Sequence, residues 1–151
     1  MPSTCPIRPA RATDLPAVYT GELDYIRAIE PDQEAGWRGG MRHHLKQWTE
    51  NLDRMFVAHV DETVVGYCFW EVHGDTAVLA SICVQPDHRR QGIGALLLQT
   101  FLSDAKAKGF SDIRLGVKAD NPALRLYEAS GFTYSHDEHG YRHYRYGSPD
   151  S

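Results

Sequence analysis

Nowhere in the 151 residues does an apolar run approach the length of ~18 residues that crosses a bilayer. The opening Met1-Pro2-Ser3-Thr4-Cys5-Pro6 also lacks the charged-then-apolar layout of a secretory leader. No membrane association is expected. Positive charge is scarce: 16 basic residues stand against 20 acidic ones, a net of -4, the wrong sign for gripping nucleic acid through its phosphates. Cysteine is sparse as well. The three present match no metal-ligand spacing and point to reduced thiols in a cytoplasmic setting. Repeats and Gly/Ser-rich or Pro-rich linkers are missing, so residues 1–151 read as a single domain.

What is present reads as alternating short elements. Thr13 or Asp14 is the expected N-cap of a helix that carries Val18 to Ile29 and stops before Pro31. Residues 32 to 51 are expected to form a second helix, against the preference of Gly36, Gly39 and Gly40. From Met55 the period shortens. Residues 56–60 and 64–70 are rich in strand formers and read as a hairpin, and residues 77–84 follow as a buried strand ended by Pro86. Leu97, Leu98, Phe101, Leu102 and Ala105 then recur at helical spacing up to Gly109. Ile113, Leu115 and Val117 alternate as a strand. Asn121 and Pro122 open a last helix closed by Gly131, and aromatic segments around His139-Gly140 form a terminal hairpin. The class is α/β, with a central mixed, mostly antiparallel sheet flanked by helices.

The most informative segment joins the buried strand to the long helix: Gln85-Pro86-Asp87-His88-Arg89-Arg90-Gln91-Gly92-Ile93-Gly94. A strand running through a glycine turn into a helix aims unpaired N–H groups and the positive helix end at one spot, which suits phosphate. No Gly-x-x-x-x-Gly-Lys-Ser/Thr run exists, and Leu97 stands where a dinucleotide fingerprint needs its third glycine. Val84-Gln85-Pro86 with Arg89-Arg90-Gln91-Gly92-Ile93-Gly94 resembles the acyl-CoA loop of the GNAT family of N-acetyltransferases, Arg/Gln-x-x-Gly-x-Gly/Ala. Asn121-Pro122-Ala123-Leu124-Arg125-Leu126-Tyr127-Glu128-Ala129-Ser130-Gly131-Phe132 resembles the family's second hallmark, and the two together cover residues 77–132.

That resemblance implies acetyl-CoA as cosubstrate and no metal. Main-chain groups of Ile82, Cys83 and Val84 would pair with the pantetheine arm, and amides of Arg89, Arg90, Gln91, Gly92, Ile93, Gly94 and Ala95 would hold the pyrophosphate. Asn121 would lie near the pantetheine, and the Tyr127 hydroxyl would protonate the leaving thiolate. Tyr127 also falls on an apolar helix face, so a purely structural role is the alternative. Some relatives carry a Glu one residue before Val117, where this chain has Gly116. No base can therefore be carried over; Glu71 and His73 are candidates, with a water chain or the substrate's own ionisation as the alternatives. Acidic residues between Asp14 and Glu34 suit a cationic acceptor, with Tyr25, Glu30, Trp37 and Glu71 as candidate acceptor contacts; a solvated helix face is the alternative. His136, Asp137, Glu138, His139 and His143 read as an exposed hairpin, because nothing completes a tetrahedral set.

The expected reaction is acetyl transfer to a primary amine, with a small-molecule or amino-acid-like acceptor favoured over a protein N-terminus or lysine. A regulatory acyl-CoA-binding module is the other reading. The aromatic segment Tyr141 to Tyr146 would suit a homodimer contact.

Overall fold

The structure, a computed structural model, describes residues 5–147. Its elements run β1 (Ile7–Pro9), α1 (Leu15–Ile29), α2 (Glu34–Gly39), α3 (Met41–Glu50), β2 (Met55–Val60), β3 (Thr63–His73), β4 (Thr76–Val84), α4 (Ile93–Ala107), β5 (Asp112–Lys118), α5 (Leu124–Ala129), β6 (Phe132–Glu138) and β7 (Tyr141–Tyr146). Seven strands form one sheet in the order β1-β2-β3-β4-β5-β7-β6. Only β4 and β5 are parallel, joined by the α4 crossover.

Both faces of the sheet are covered, which explains the unbroken apolar run in β3. Cys68 and Trp70 point into a core built with Leu97, Leu98 and Phe101 of α4, while Tyr67 and Phe69 point the other way toward Val18 and Trp48 of the α1–α3 layer. Each fully buried large side chain contributes about 1.5–3 kcal/mol. Trp48 and Trp70 are sealed in opposite cores, so the sheet is clamped from both sides.

The expected second helix is broken. Residues 31–33 form a single tight turn, and α2 and α3 part at Gly40, whose N–H bonds to the carbonyls of Gly36 and Trp37. Glycines at 36, 39 and 40 each cost the helix about 1 kcal/mol, enough to end it there. Asp14 is not a forward-bonding cap. Its carboxylate turns back to the Arg8 guanidinium at 2.8 and 3.0 Å and to the Arg11 N–H, tying β1 to the start of α1. The last helix begins at Leu124, two residues later than the expected start at Pro122, because the Asn121 side chain closes a turn on the Ala123 N–H at 2.9 Å. The terminal hairpin is as expected, with left-handed His139 and Gly140 at its tip.

Candidate active site

The sheet forks at its centre. β4 and β5 pair only from Thr76 to Leu79 and from Asp112 to Leu115. At that point Ala80 is an extra residue against β3, since Phe69 pairs with Ser81 and Trp70 with Leu79. A bulge bends and twists its strand, so β4 leaves its parallel neighbour. Beyond it Ile82, Cys83 and Val84 pair with Cys68, Tyr67 and Gly66 of β3 on one side only, while β5 continues beside β7. Among the described residues the other edge of β4 has no strand partner beyond Leu79; Ile82 and Val84 present their main-chain groups there, and the Val84 carbonyl accepts from Arg89.

That edge leads into the glycine loop. Among the described residues, the amides of Arg90, Gln91, Gly92, Ile93, Gly94 and Ala95 donate to no acceptor in the chain; Leu96 is the first residue of the helix to do so, to Gly92. Gly92 caps α4 with φ 82°, and Arg90 is left-handed at φ 64°. The free amides lie at the N-terminus of a 15-residue helix, whose positive dipole end favours an anion. The Arg89 side chain has a structural task, its Nε donating to the Val84 carbonyl at 3.0 Å. Ile93 anchors the loop by burying its side chain at 2% exposure. The cradle fits a diphosphate through its unpaired donors and helix N-terminus, whereas a Cβ at Gly94 would meet the Leu126 side chain at 3.2 Å, so that glycine serves packing against α5.

Tyr127 packs as a core residue. Its ring is buried and packs edge-on to Phe132, yet its hydroxyl has no partner among the described residues and is not sealed from solvent. Burial pushes the phenol well above its ordinary range, so it stays protonated. Asn121 spends its carbonyl oxygen on the Ala123 N–H and keeps its amide nitrogen unengaged.

On the opposite face, α1 closes over the fork. Tyr25 and Glu30 lie together: Glu30 accepts from the Tyr141 hydroxyl at 2.9 Å and faces Lys118 at 4.0 Å, and burial with its nearby charge keeps Tyr25 protonated. Trp37 lies apart, stacked on His44 and tilted against Tyr19. Glu71 also lies apart, opposite Val78 in the paired stretch and bonded to Gln47 of α3, with His73 at 3.5 Å. Cys83 is an unreactive thiol, pushed up to about 11 by burial and by Glu22.

Two features escaped the sequence. Glu22 of α1 accepts from the Tyr67 hydroxyl at 2.6 Å and from Ser81 at 2.8 Å, both on Oε2. His143 lies against Gly116, its cross-strand partner. His136, Glu138 and His143, which the sequence reads as part of an exposed hairpin, come together with ligand atoms within 4.8 Å of one another. Partners 45 and 59 residues away leave no local signal around Glu22. No helix among the described residues is long and apolar enough to cross a membrane.

Comparison with known proteins agrees with this geometry. The chain is 31% identical over 121 residues to the [ribosomal protein bS18]-alanine N-acetyltransferase of Escherichia coli (strain K12), covering 80% of this chain and 75% of that one. It is 34% identical over 114 residues to the mycothiol acetyltransferase of Brachybacterium faecium, covering 72% of this chain but only 34% of that longer protein. The crystal structure of the PaiA N-acetyltransferase from Thermoplasma acidophilum in complex with coenzyme A superposes with a TM-score of 0.80 at 20% identity, covering 97% of this chain and 100% of that one. The family model described as Acetyltransferase (GNAT) family matches residues 23–132, and the chain belongs to that family.

Proposed function

We propose that this acetyltransferase moves the acetyl group of acetyl-CoA to the α-amine of an alanine-like terminus, carried on a peptide or on a small amino-acid-like molecule. The carrying observation is the run of six undonated amides at the start of α4, continuous with the open edge of β4. The sequence alone favoured a small acceptor. The relative from Escherichia coli, named for alanine on a ribosomal protein, supports a protein terminus as well, and the α-amine is the chemistry the two acceptors share.

In this reading the amides of residues 90–95 hold the pyrophosphate, with Arg89 fixing the loop rather than contacting the ligand. The free edge at Ile82–Val84 takes the pantetheine as an added strand. Binding both reactants in the fork supplies orientation. Attack by the neutral amine forms the C–N bond and breaks the C–S bond, and Tyr127 gives its proton to the departing sulfur. No step calls on a metal.

Thiol release from acetyl-CoA, followed with an N-terminal-alanine peptide, free alanine and a lysine peptide blocked at its terminus, tests the proposal. The first two acceptors should gain one acetyl group at the α-nitrogen by mass spectrometry. Thiol release with the lysine peptide alone, or with none of the three, refutes it.

A further inference from the structure

We propose that Glu22 is the group that takes the proton from the attacking amine. The inference rests on the acetyl-CoA reading above and adds the residue that reading leaves unnamed. Glu22 reaches from α1 across the sheet to Ser81, the second residue of β4 beyond its last pair with β5. Its carboxylate therefore stands at the mouth of the fork, on the face covered by α1 and opposite α4.

The hydrogen bonding leaves one oxygen free for work. Tyr67 and Ser81 both donate to Oε2, so the side chain is held rigidly while Oε1 has no donor among the described residues. Oε1 is not sealed either: among the described residues the only enclosed side-chain N or O atom without a partner is Arg142 Nε. A held carboxylate with one open oxygen is the arrangement a proton acceptor needs. Gly21 makes the close seating possible, since a Cβ there would stand 2.5 Å from the Tyr67 ring. Across the fork, Gly116 offers no side chain at all.

The electrostatics agree with the geometry. Glu22 is faced by Tyr67 on β3, by Ser81 and Cys83 on β4 and by Tyr25 on its own helix, with no cation bonded to it. Burial raises its carboxyl above the ordinary range, closer to that of an ammonium, whereas the two hydroxyl donors pull the other way. Tyr67, Tyr25 and Cys83 are all raised and stay neutral where the enzyme works, so the titrating group of this cluster is Glu22.

The protons balance. The ammonium gives one proton to Oε1 and attacks; the sulfur leaves with the Tyr127 proton. The second nitrogen proton, released as the amide forms, restores the tyrosine through solvent, and Glu22 discharges to water.

The test uses the full chain with Glu22→Gln, which keeps an acceptor for Tyr67 and Ser81. With the N-terminal-alanine peptide near neutral pH, kcat/KM should fall about 100-fold while coenzyme A affinity by calorimetry stays within about twofold. The deficit should shrink to under about tenfold with an acceptor hydrazide, whose nitrogen is already neutral. Ser81→Ala removes a hydrogen bond that favours the charged carboxylate, so the acidic limb of kcat/KM should move to higher pH. It decides the matter should the Gln variant not fold. An undiminished rate in Glu22→Gln, a loss independent of acceptor basicity, or an unmoved limb in Ser81→Ala overturns the assignment. Wild-type protein that binds no coenzyme A instead overturns the reading on which it rests.

Discussion

The imidazole of His143 fills the space a side chain at Gly116 would need: a Cβ there would stand 3.1 Å from its Cε1 and 3.2 Å from its Nδ1. On its other side the ring is stacked on His136 at 4.8 Å, so it cannot slide away without giving up that contact. Gly116→Glu should therefore destabilise the chain, and His143→Ala should relieve the collision. A double-mutant cycle read by denaturant unfolding is expected to return a coupling of about 1 kcal/mol, in the sense that the second substitution rescues the first. Additive effects would show that the two residues do not compete for the same volume.

Tyr127→Phe separates the two duties of that residue. The ring contributes to the core and remains, while the hydroxyl bonds nothing among the described residues, so unfolding free energy should change by less than about 0.5 kcal/mol. Turnover should fall about 100-fold or more, because the departing thiolate loses its proton donor. Thiol release and a thermal melt on the same preparation check both halves.

The glycine loop makes a different demand. Gly92 is left-handed at φ 82°, where an alanine costs about 1 kcal/mol, and relaxing that strain would turn the neighbouring amides off target. Gly92→Ala should weaken coenzyme A binding by more than Arg90→Gly does. The latter keeps its amide and relieves a left-handed arginine at φ 64°. Calorimetric titration of both variants ranks them, and the opposite order would mean that the Arg90 side chain, not the main chain, holds the phosphates.

What could be read from the chain was whatever is local. The run of strand formers in β3, the helical spacing of Leu97 to Ala105 and the Gly92-Ile93-Gly94 turn each declare themselves within a dozen residues. β1 did not, being three residues long and held by pairing with Ala58, Val57 and Phe56 far along the chain. The insertion of β7 between β5 and β6 is a choice between two edges of a hairpin, which the hairpin's own sequence does not encode. The acceptor face was legible only in part. Tyr25 and Glu30 meet because they lie one helical turn and a corner apart, whereas Glu71 belongs to the paired end of the sheet, on a strand face that spacing could not tell from the fork.

Asp14 and Glu22, eight residues apart on the chain, should titrate stability in opposite directions. The Arg8 guanidinium holds the Asp14 carboxyl below its ordinary range, so its contribution is present above the unfolded value and lost as pH falls through the folded one. Asp14→Asn should cost about 1–2 kcal/mol at neutral pH, allowing for solvent screening, and progressively less in acid. Glu22 is raised chiefly by burial, so its folded form binds a proton that the unfolded chain releases. Its favourable contribution is complete below the unfolded value and disappears as pH rises through the folded one. Glu22→Gln carries no charge to bury and keeps an oxygen for Tyr67 and Ser81. Its melting temperature should match the wild type in mild acid and exceed it by a margin that grows as pH rises through the folded value and is level above it. A constant offset across the range would mean that Glu22 is not desolvated, which would also remove the electrostatic support for its role as proton acceptor.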